Sequence, residues 1–344
     1  MKIDEPKRRR LEKIAGSFPE KKVLVIGDLM LDEYVYGSTD RISREAPVLI
    51  LTYTGSLLMP GGAGNACANV SSLGATAIPV GVVGRDAPGA RLLTLLGESG
   101  IATESVASCD GFETVEKTRI LAGGFHCAKQ QVIRIDRGRR VGLERRVENL
   151  VLERALDLVA RVDAVLFSDY GYGVVSERVR GEVMRSARAK RKPVCVDSRF
   201  HLPKFKGATV ATPNEAEAGQ AAGILIKDRD TLASAGKRLV DRLDLRNLLI
   251  TQGSSGMTVF EKGKLPVHIP IFGSDEIADV TGAGDTVAAA VSLSLSCGAT
   301  IVEASCVATY AGSVVVMKRG TATASTAEIV EAMSRGRIGG LKTL

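Results

Sequence analysis

Eight consecutive residues, Asp279 to Thr286 (DVTGAGDT), have the composition of an anion-binding helix start, and an apolar stretch typical of a buried helix follows them. Glycines in front of a helix leave backbone NH groups unshielded at its N-terminus, where the helix macrodipole also attracts anions. Asp285, in the first predicted helical turn, is then placed to take a proton from a hydroxyl that attacks a bound phosphoryl group. A plain helix entry with an acidic capping residue explains Gly-Ala-Gly alone, but the full order of eight favours this chemistry. The candidate anion hole consists of Thr281, Gly282, Ala283 and Gly284.

A second glycine-rich turn, Pro60 to Asn69 (PGGAGNACAN), also has the composition of a binding loop. Its paired glycines let the backbone approach a small ligand closely. The side chain of Asn65 supplies both a hydrogen-bond donor and an acceptor. This turn is therefore a candidate site for a polar small molecule.

Charge argues against nucleic acid as a partner. The chain has 344 residues with 46 basic and 39 acidic side chains, a net charge of +7. Residues 1–22 hold eight Lys or Arg and four Asp or Glu, so they contribute +4 and leave +3 for the remaining 322 residues. That surplus is too small for a face that follows a phosphate backbone, and with no Trp and 4% aromatic residues stacking platforms are scarce. We expect a solvated amphipathic leader helix at residues 1–20; nucleic-acid binding through this leader is the alternative.

The cysteines and the N-terminus indicate a cytoplasmic protein. The six cysteines are scattered without a CxxC pair, and there are three histidines, so a zinc site or a disulfide framework is not expected. The charged N-terminus has no apolar signal region. No apolar run reaches the roughly 18 residues of a membrane span, so we expect no membrane partner.

The elements that must position these residues follow an alternating pattern. Apolar runs at residues 21–28, 75–84, 163–169, 193–197, 208–212 and 247–253 are typical of buried parallel strands. Helix-period stretches separate them, which predicts an α/β fold with a doubly wound, mostly parallel sheet and helices on both faces. Ligands bind beyond the carboxyl ends of such strands. Three acids lie there: Asp28, Asp169 and Asp197.

Two stretches, about residues 33–59 and 112–137, break this alternation. Both are rich in Tyr, Val, Ile and Thr with period-2 alternation, which predicts antiparallel β segments outside the main sheet. We expect them to assemble into one small β lid on a single domain that spans residues 21–344. An exposed apolar lid face would need a partner, which makes a homodimer through the lid the expected assembly.

Both glycine-rich motifs resemble the signatures of the ribokinase-like carbohydrate kinases, also called the PfkB family, and the resemblance covers about residues 21–335. It implies a ribokinase-like fold, ATP as the phosphoryl donor, a sugar as the acceptor and Asp285 as the catalytic base. The sequence contains no GxxxxGK[ST] motif and no GxGxxG motif after the first strand, so these signatures of other nucleotide-binding folds are absent. The sugar-binding residues that the resemblance implies are Asp32, Gly61, Gly62 and Asn65, and Asp169, at its strand end, is a further candidate for substrate binding.

Two further segments fit the resemblance on the nucleotide side. The segment TPNEAE at residues 212–217 places Asn214 and Glu217 one helical turn apart, where relatives act on Mg²⁺-bound phosphates largely through water. Asn214 also has the residue type of an N-cap, and both roles are compatible. Asp279 matches an acid that helps to hold a monovalent cation such as K⁺ in several relatives. The predicted ATP loop, TQGSSG, contains Thr251, Gly253 and Gly256.

Within the family, the lid is most similar to that of D-glycero-β-D-manno-heptose 7-phosphate kinases, in the segments GDLMLDEY, RIS, EAPV, KTR and QQVIRID. The resemblance implies transfer to the anomeric hydroxyl, which gives the 1,7-bisphosphate used for the lipopolysaccharide core. A substrate that already carries a phosphate needs cations to hold it. The candidates in the lid or at its edge are Arg41, Arg85, Lys117, Arg119 and Arg134.

Several positions depart from the heptose kinase pattern. Arg44 stands where Pro is usual, Tyr172 where Lys is usual, and Ser198-Arg199-Phe200 replaces Pro-Lys-Gly. Residues 123–129 resemble a short insertion. These departures leave two alternatives: a kinase for another sugar such as fructose, ribose or fructose 6-phosphate, or a non-catalytic sugar-binding protein on the same fold. Bifunctional heptose enzymes also carry a nucleotidylyltransferase domain, and the length of this chain predicts a stand-alone kinase.

Overall fold

The computed structural model describes residues 4–123, 129–273, 279–318, 320–336 and 338–343. The predicted insertion at 123–129 lies largely outside these residues, and so do the side chains of residues 40–42, Arg41 among them. The strands are β1 (Lys22–Gly27), β2 (Leu29–Ile42), β3 (Leu49–Gly62), β4 (Thr76–Gly84), β5 (Val106–Cys109), β6 (Val115–Gly123), β7 (Gln130–Arg137), β8 (Ala164–Asp169), β9 (Val194–Ser198), β10 (Val210–Ala211), β11 (Asn247–Thr251), β12 (Met257–Glu261), β13 (Val267–Ile269) and β14 (Lys342–Thr343). The α-helices are α1 (Glu5–Gly16), α2 (Ala63–Ser72), α3 (Ala87–Glu98), α4 (Arg145–Val159), α5 (Glu177–Ala189), α6 (Glu215–Ala222), α7 (Arg229–Arg242), α8 (Ala283–Ser296), α9 (Ile301–Val315) and α10 (Thr326–Arg335).

Ten strands form the main sheet, in the order β14-β13-β12-β11-β10-β9-β8-β1-β4-β5. The seven strands from β11 to β5 are parallel, as the apolar runs predict. Every residue of β8 is buried, because helices cover the sheet on both faces. One apolar cluster joins the sheet to helices that include α2, α8 and α9, and a second joins it to helices that include α4, α5 and α7. The predicted doubly wound α/β fold is therefore confirmed.

An antiparallel edge, β12 to β14, extends the sheet beyond β11. The sequence analysis did not predict these strands. The chain turns between β11 and β12 through a short 3₁₀ helix, Gly253–Ser255. This turn lies at the end of β11, next to the predicted ATP loop, so the unexpected edge contributes to the nucleotide side of the site.

The four-stranded lid is a separate sheet with the order β3-β2-β6-β7. Each excursion is an antiparallel hairpin, β2 with β3 and β6 with β7. The two antiparallel segments are as predicted, and β2 and β6 join the two hairpins in parallel, a junction that the sequence patterns did not indicate. Their register pairs Asp32 with Lys117 and Tyr34 with Arg119. Since alternate strand residues share a face, these four side chains lie on one face of the lid.

The basic leader is part of the core rather than a solvated arm. Asp4 caps α1 by accepting a hydrogen bond from the NH of Lys7. Leu11 and Ile14 are 3% and 2% exposed, and both pack with Phe18 in the same apolar cluster as α9 and α10. The expectation of a solvated helix holds only for the basic face, because the apolar face at i, i+3 and i+7 is buried.

Candidate active site

A cavity of about 560 Å³ lies at the carboxyl ends of the central strands, below the lid. Its position is the one at which ligands bind in doubly wound sheets. The predicted residues that line it come from the lid, from the first turn of α8 and from the loops around β8, β10 and β11. They are Asp32, Gly62, Lys117, Arg119, Arg134, Asp169, Asn214, Glu217, Thr251, Gly253, Gly256, Thr281, Gly282, Ala283, Gly284 and Asp285.

At the start of α8, two of the four NH groups of the predicted anion hole are already hydrogen-bonded within the protein. Thr281 donates its NH to Asp279 Oδ1 at 2.9 Å, and Ala283 donates its NH to the carbonyl of Val280 at 3.2 Å. The NH groups of Gly282 and Gly284 have no acceptor within the described part of the chain. Gly282 caps the helix with φ of 81°, and a Cβ there would lie 2.6 Å from Asn65 Nδ2, so only glycine fits. Within the described residues, two of the four predicted NH donors are therefore unpaired, and both belong to glycines that line the cavity.

The carboxylate of Asp285 is 4% exposed and is held at both oxygens. Asn65 Nδ2 donates to Oδ2 at 2.7 Å, and the hydroxyl of Tyr170 donates to Oδ1 at 3.0 Å. Burial raises the pKa of Asp285 to about 6, and the two donors act in the opposite direction. A carboxylate in this environment is ionised at neutral pH yet basic enough to accept a proton.

The structure gives Asn65 a role that differs from the predicted sugar contact. The side chain is 0% exposed and does not line the cavity. Asn69 donates to Asn65 Oδ1 at 3.2 Å, and Thr286 donates to Asn69 Oδ1 at 2.7 Å. These bonds fix the amide so that its NH₂ group points at Asp285. Asn65 is thus a positioning residue for the carboxylate.

Two cationic side chains of the lid, Arg119 and Lys117, line the same cavity as the Asp285 carboxylate. Arg119 Nη1 lies 2.9 Å from Asp32 Oδ1, and its guanidinium stacks 5.2 Å from the centroid of the Tyr34 ring. Lys117 Nζ lies 5.0 Å from the centroid of the Tyr170 ring, and burial lowers its pKa. A Cβ on Gly61 would lie 2.7 Å from the Asp32 carboxyl carbon, so the glycine leaves room for this ion pair. Gly61 therefore supports the site without lining it.

The remaining predicted cations have different surroundings. Arg134 lines the cavity and pairs with Asp136 at 2.7 Å. Arg85 is exposed, pairs with Asp110 and lines a separate depression, so the structure gives no support to its predicted role. Arg199, one of the departures from the heptose kinase pattern, does line the cavity.

Asp28 anchors the loop that follows β8, residues 170–174, through hydrogen bonds to its backbone. The Asp28 carboxylate is 1% exposed and accepts hydrogen bonds from the NH groups of Tyr170, Tyr172 and Val174. Asp169 accepts from Ser198 Oγ at 2.7 Å and lies 3.1 Å from His201 Nδ1. Asp169 lines the cavity but is bonded mainly within the protein, so its predicted sugar contact is not its principal interaction.

On the nucleotide side, Asn214 and Glu217 form a reciprocal capping box at the start of α6. The Asn214 side chain accepts from the NH of Glu217, and the Glu217 carboxylate accepts from the NH of Asn214. The N-cap interpretation of Asn214 is confirmed, and both residues also line the cavity. Apolar side chains extend this end of the cavity and form a surface suited to a purine ring: Met257, Ile271, Phe272, Val287, Ala308 and Val316.

Acidic side chains are concentrated in the floor of the cavity. Burial, together with the charges of Asp285, Glu217 and Asp169, raises the pKa of Asp197 well above its usual range. Burial also raises the pKa of Glu217. Among the described residues, no three His, Cys, Asp or Glu side chains are grouped so that they could hold a metal ion.

Asp279 ties the loop before α8 to the turn after α9. Its Oδ1 accepts from the NH of Thr281, and its Oδ2 accepts from the NH of Gly320 at 3.0 Å. The structure thus gives Asp279 a structural role beside the predicted cation contact. Within the described ranges, no helix is long and apolar enough to cross a membrane.

Sequence reasoning missed three kinds of site residue. It named Asp197 as an acid at a strand end without giving it a role in the site, and it did not assign Tyr170 or the apolar nucleotide surface around Phe272. Asp197 carries the same signal as Asp169, an acid at a strand end. Tyr170 has no such signal, because its importance depends on a contact across 115 positions of sequence.

An acid at a glycine-capped helix start, under a cationic lid, is an arrangement compatible with phosphoryl transfer. The family model for pfkB family carbohydrate kinases matches residues 20–328. The chain belongs to the pfkB carbohydrate kinase family.

Curated relatives carry the name bifunctional protein HldE. The protein of that name from Pelobacter propionicus is 38% identical over 328 residues, which cover 95% of this chain and 66% of the relative. The one from Bradyrhizobium diazoefficiens is 40% identical over 318 residues, which cover 92% of this chain and 63% of the relative. This chain thus spans slightly less than two thirds of the length of these relatives.

Solved structures show the same fold. Arabidopsis thaliana ribokinase, in complex with ribose and ATP, has a TM-score of 0.72 at 19% identity, with 91% of this chain and 98% of that chain covered. Escherichia coli phosphofructokinase-2, in complex with substrates and products, has a TM-score of 0.74 at 16% identity, with 92% and 99% covered. The fold is therefore ribokinase-like.

Proposed function

We propose that this carbohydrate kinase transfers the γ-phosphoryl group of ATP to the anomeric hydroxyl of D-glycero-β-D-manno-heptose 7-phosphate. The observation that carries the proposal is the arrangement of lid cations around Asp285. Lys117 and Arg119 are 8% and 9% exposed, and they line one cavity with Arg134 and Asp285. The distal phosphate of a sugar phosphate supplies the negative charge that such a group requires. The motifs of the lid and the HldE relatives support the heptose as the sugar.

Asp285 is the proposed catalytic base. The sugar hydroxyl oxygen attacks the γ-phosphorus, the bond to the β–γ bridging oxygen breaks, ADP leaves with that electron pair, and Asp285 accepts the hydroxyl proton. The unpaired NH groups of Gly282 and Gly284 are aimed at the transferring phosphoryl group, where they stabilise its charge. Asp32 and the backbone at Gly62 remain the proposed contacts of the sugar hydroxyls.

Asn214 and Glu217 are the proposed residues for Mg²⁺. The fit depends on ligand type: Glu217 and Asp197 offer oxygen atoms, and burial raises the pKa of both carboxyl groups, which a bound cation would oppose by favouring their ionised forms. Magnesium supplies charge neutralisation of the β- and γ-phosphates. Contact through water agrees with a capping box that already engages both side chains.

Asp279 remains the proposed acid for K⁺. Its carboxylate oxygens each accept one backbone NH and keep further lone pairs for a cation. A solved phosphofructokinase-2 from Escherichia coli is described in complex with potassium. Replacing K⁺ with tetramethylammonium tests the requirement, and unchanged turnover would remove it.

A second copy of the chain is the proposed partner of the lid, and the cytoplasm, where ATP is available, is the proposed location. Eight large apolar side chains on the lid and its β2–β3 turn are at least 36% exposed. A two-fold interface would bury this surface against itself. The residues are Val48, Leu49, Ile50, Tyr53, Leu57, Val132, Ile133 and Ile135.

A substrate screen tests the proposed function. ADP release is measured with Mg·ATP and, in turn, heptose 7-phosphate, fructose 6-phosphate, free fructose and free ribose. We expect the highest kcat/KM with heptose 7-phosphate. Turnover restricted to a free pentose or hexose would contradict the proposal and leave the lid cations without their phosphate. Absence of turnover with every sugar, together with measurable sugar binding, would favour a binding protein.

A further inference from the structure

Tyr170 contacts the carboxylate that the proposed mechanism uses as its base. Its hydroxyl donates to Asp285 Oδ1 at 3.0 Å, while Asn65 holds Oδ2 at 2.7 Å. Asn65 is fully buried, whereas Tyr170 lines the cavity. The oxygen that faces the cavity is therefore the one that the tyrosine occupies, and an acceptor hydroxyl needs the same oxygen.

The backbone of Tyr170 is fixed, whereas its side chain makes no hydrogen bond within the described residues other than the one to Asp285. Its NH donates to Asp28 Oδ2 at 2.8 Å, and the neighbouring NH groups of Tyr172 and Val174 bind the same carboxylate. Lys117 Nζ lies 5.0 Å from the ring centroid and steadies the ring from the lid. Because Lys117 is a lid residue, the ring of Tyr170 is in direct contact with the lid.

We propose that Tyr170 is a positioning residue that covers Asp285 until the acceptor hydroxyl of the sugar displaces its phenol. The inference rests on the proposed role of Asp285 as the base. Without sugar, the phenol keeps water off the oxygen that would activate it. With sugar, the acceptor hydroxyl takes the place of the phenol, and a side-chain rotation is sufficient since the cavity adjoins the ring.

The reaction that the phenol suppresses is hydrolysis of ATP. If water reached Asp285 Oδ1, the water oxygen would attack the γ-phosphorus while the bond from that phosphorus to the β–γ bridging oxygen broke. ADP would leave with that electron pair, and Asp285 would accept the water proton. The products are ADP and inorganic phosphate, so ADP release without sugar measures how well the base is covered.

Tyr170→Phe removes the hydroxyl and keeps the ring. We expect the rate of ADP release from Mg·ATP without sugar to increase about tenfold. This is below the usual contribution of a general base, because the site lacks a positioned acceptor. Tyr172→Phe is the matched control, since Tyr172 lies two residues away, is 4% exposed and makes no side-chain hydrogen bond in the described structure. We expect the control to match the unaltered chain.

The double variant Tyr170→Phe, Asp285→Asn assigns the added hydrolysis to the carboxylate. We expect it to return ADP release to the level of Asp285→Asn alone. Hydrolysis in Tyr170→Phe that equals that of the unaltered chain, with the thermal unfolding midpoint preserved, would overturn the inference. Added hydrolysis that survives Asp285→Asn would overturn it too.

A pH profile separates this role from a structural one. The Tyr170 hydrogen bond stabilises the ionised form of Asp285, so its removal moves the acidic limb of kcat/KM to higher pH. The charged or titratable groups around Asp285 are Asp32 on β2, Lys117 on β6, Asp197 on β9 and Cys67 on α2, and the variant changes none of them. Displacement also predicts a KM for the sugar that is unchanged or lower, whereas structural damage would raise it.

The two proposals fail in different ways. Normal sugar turnover in Asp285→Asn would show that the proposed base is wrong. Lost turnover in that variant, combined with unaltered hydrolysis in Tyr170→Phe, would retain the base and reject only the covering role of the tyrosine.

Discussion

At the scale of single residues, the site depends on how one carboxylate is held. Asp285 is buried, receives one donor from α2 and one from the loop after β8, and sits in the first turn of α8. Three separate segments thus determine its orientation. A group held in this way loses little conformational freedom when it accepts a proton, which is the advantage of a preorganised base.

Replacing the carboxylate tests its role directly. Asp285→Asn keeps the shape of the side chain but cannot accept a proton, so we expect turnover to fall by at least about a hundredfold. ATP affinity should change little, because the apolar nucleotide surface and the NH groups of Gly282 and Gly284 remain. Turnover and ATP binding are measured by ADP release and isothermal titration. Near-normal turnover would contradict the assignment.

The pH dependence follows from the same residue. Asp285 must be ionised to act as a base, and burial raises its pKa to about 6. We therefore expect kcat/KM to fall by about tenfold per pH unit below that value and to be level above it. A profile from pH 5 to 8 in constant ionic strength checks this. An acidic limb centred near the ordinary pKa of an aspartate would exclude Asp285 as the titrating group.

At the scale of elements, the leader helix and the lid show how the sequence patterns translate into structure. The apolar face of α1 explains why the helix packs, and its basic face explains why the chain has a surplus of positive charge. The parallel junction of β2 with β6 explains why Lys117 and Arg119 lie beside Asp32 and Tyr34.

The burial of α1 predicts a loss of stability. Leu11→Ala removes a side chain that is 3% exposed, so we expect the free energy of unfolding to fall by about 2–4 kcal/mol. Arg9→Ala is the control on the same helix, because its side chain is 75% exposed and the change should stay within about 0.5 kcal/mol. Urea unfolding followed by circular dichroism measures both. Equal effects of the two substitutions would show that the apolar face is not packed.

The apolar face of the lid predicts self-association. Ile133→Lys places a charge on a lid residue that is 53% exposed, and we expect it to shift a dimer towards monomer. Leu265→Lys is the control, since Leu265 is 70% exposed and lies outside the lid. Light scattering after size-exclusion chromatography gives the mass. A dimer that persists in Ile133→Lys would contradict a lid interface. An unaltered chain that is already a monomer would contradict it too.

At the scale of the whole molecule, the parallel sheet, the two-piece lid and the cavity could be predicted because each leaves a local pattern. Buried strands are continuous apolar runs, and DVTGAGDT places the helix start and Asp285 in one segment. The bonds of Asn65 and Tyr170 to Asp285 could not be predicted, since they join positions 220 and 115 residues apart. The antiparallel edge from β12 to β14, with strands of five, three and two residues, was not predicted either.

The charge of the molecule also has a clearer meaning in three dimensions. Much of the basic surplus lies on the outer face of α1, while Lys117 and Arg119 are buried under the lid. The surplus on the surface does not form the nucleotide site, where backbone NH groups and an acidic floor dominate. Net charge is thus a poor guide to the anions that this protein handles.

The parallel pairing of β2 with β6 has a consequence for folding. Asp32 and Lys117 are partners across the lid, yet β4, α3 and β5 lie between their strands in the chain. Each hairpin closes a short loop, whereas their junction joins segments that are far apart in the chain, and distant contacts carry a larger entropic cost of closure. We therefore expect the junction that brings the lid cations to the carboxylate to form late, and hydrogen exchange should find it among the first parts of the sheet structure to open.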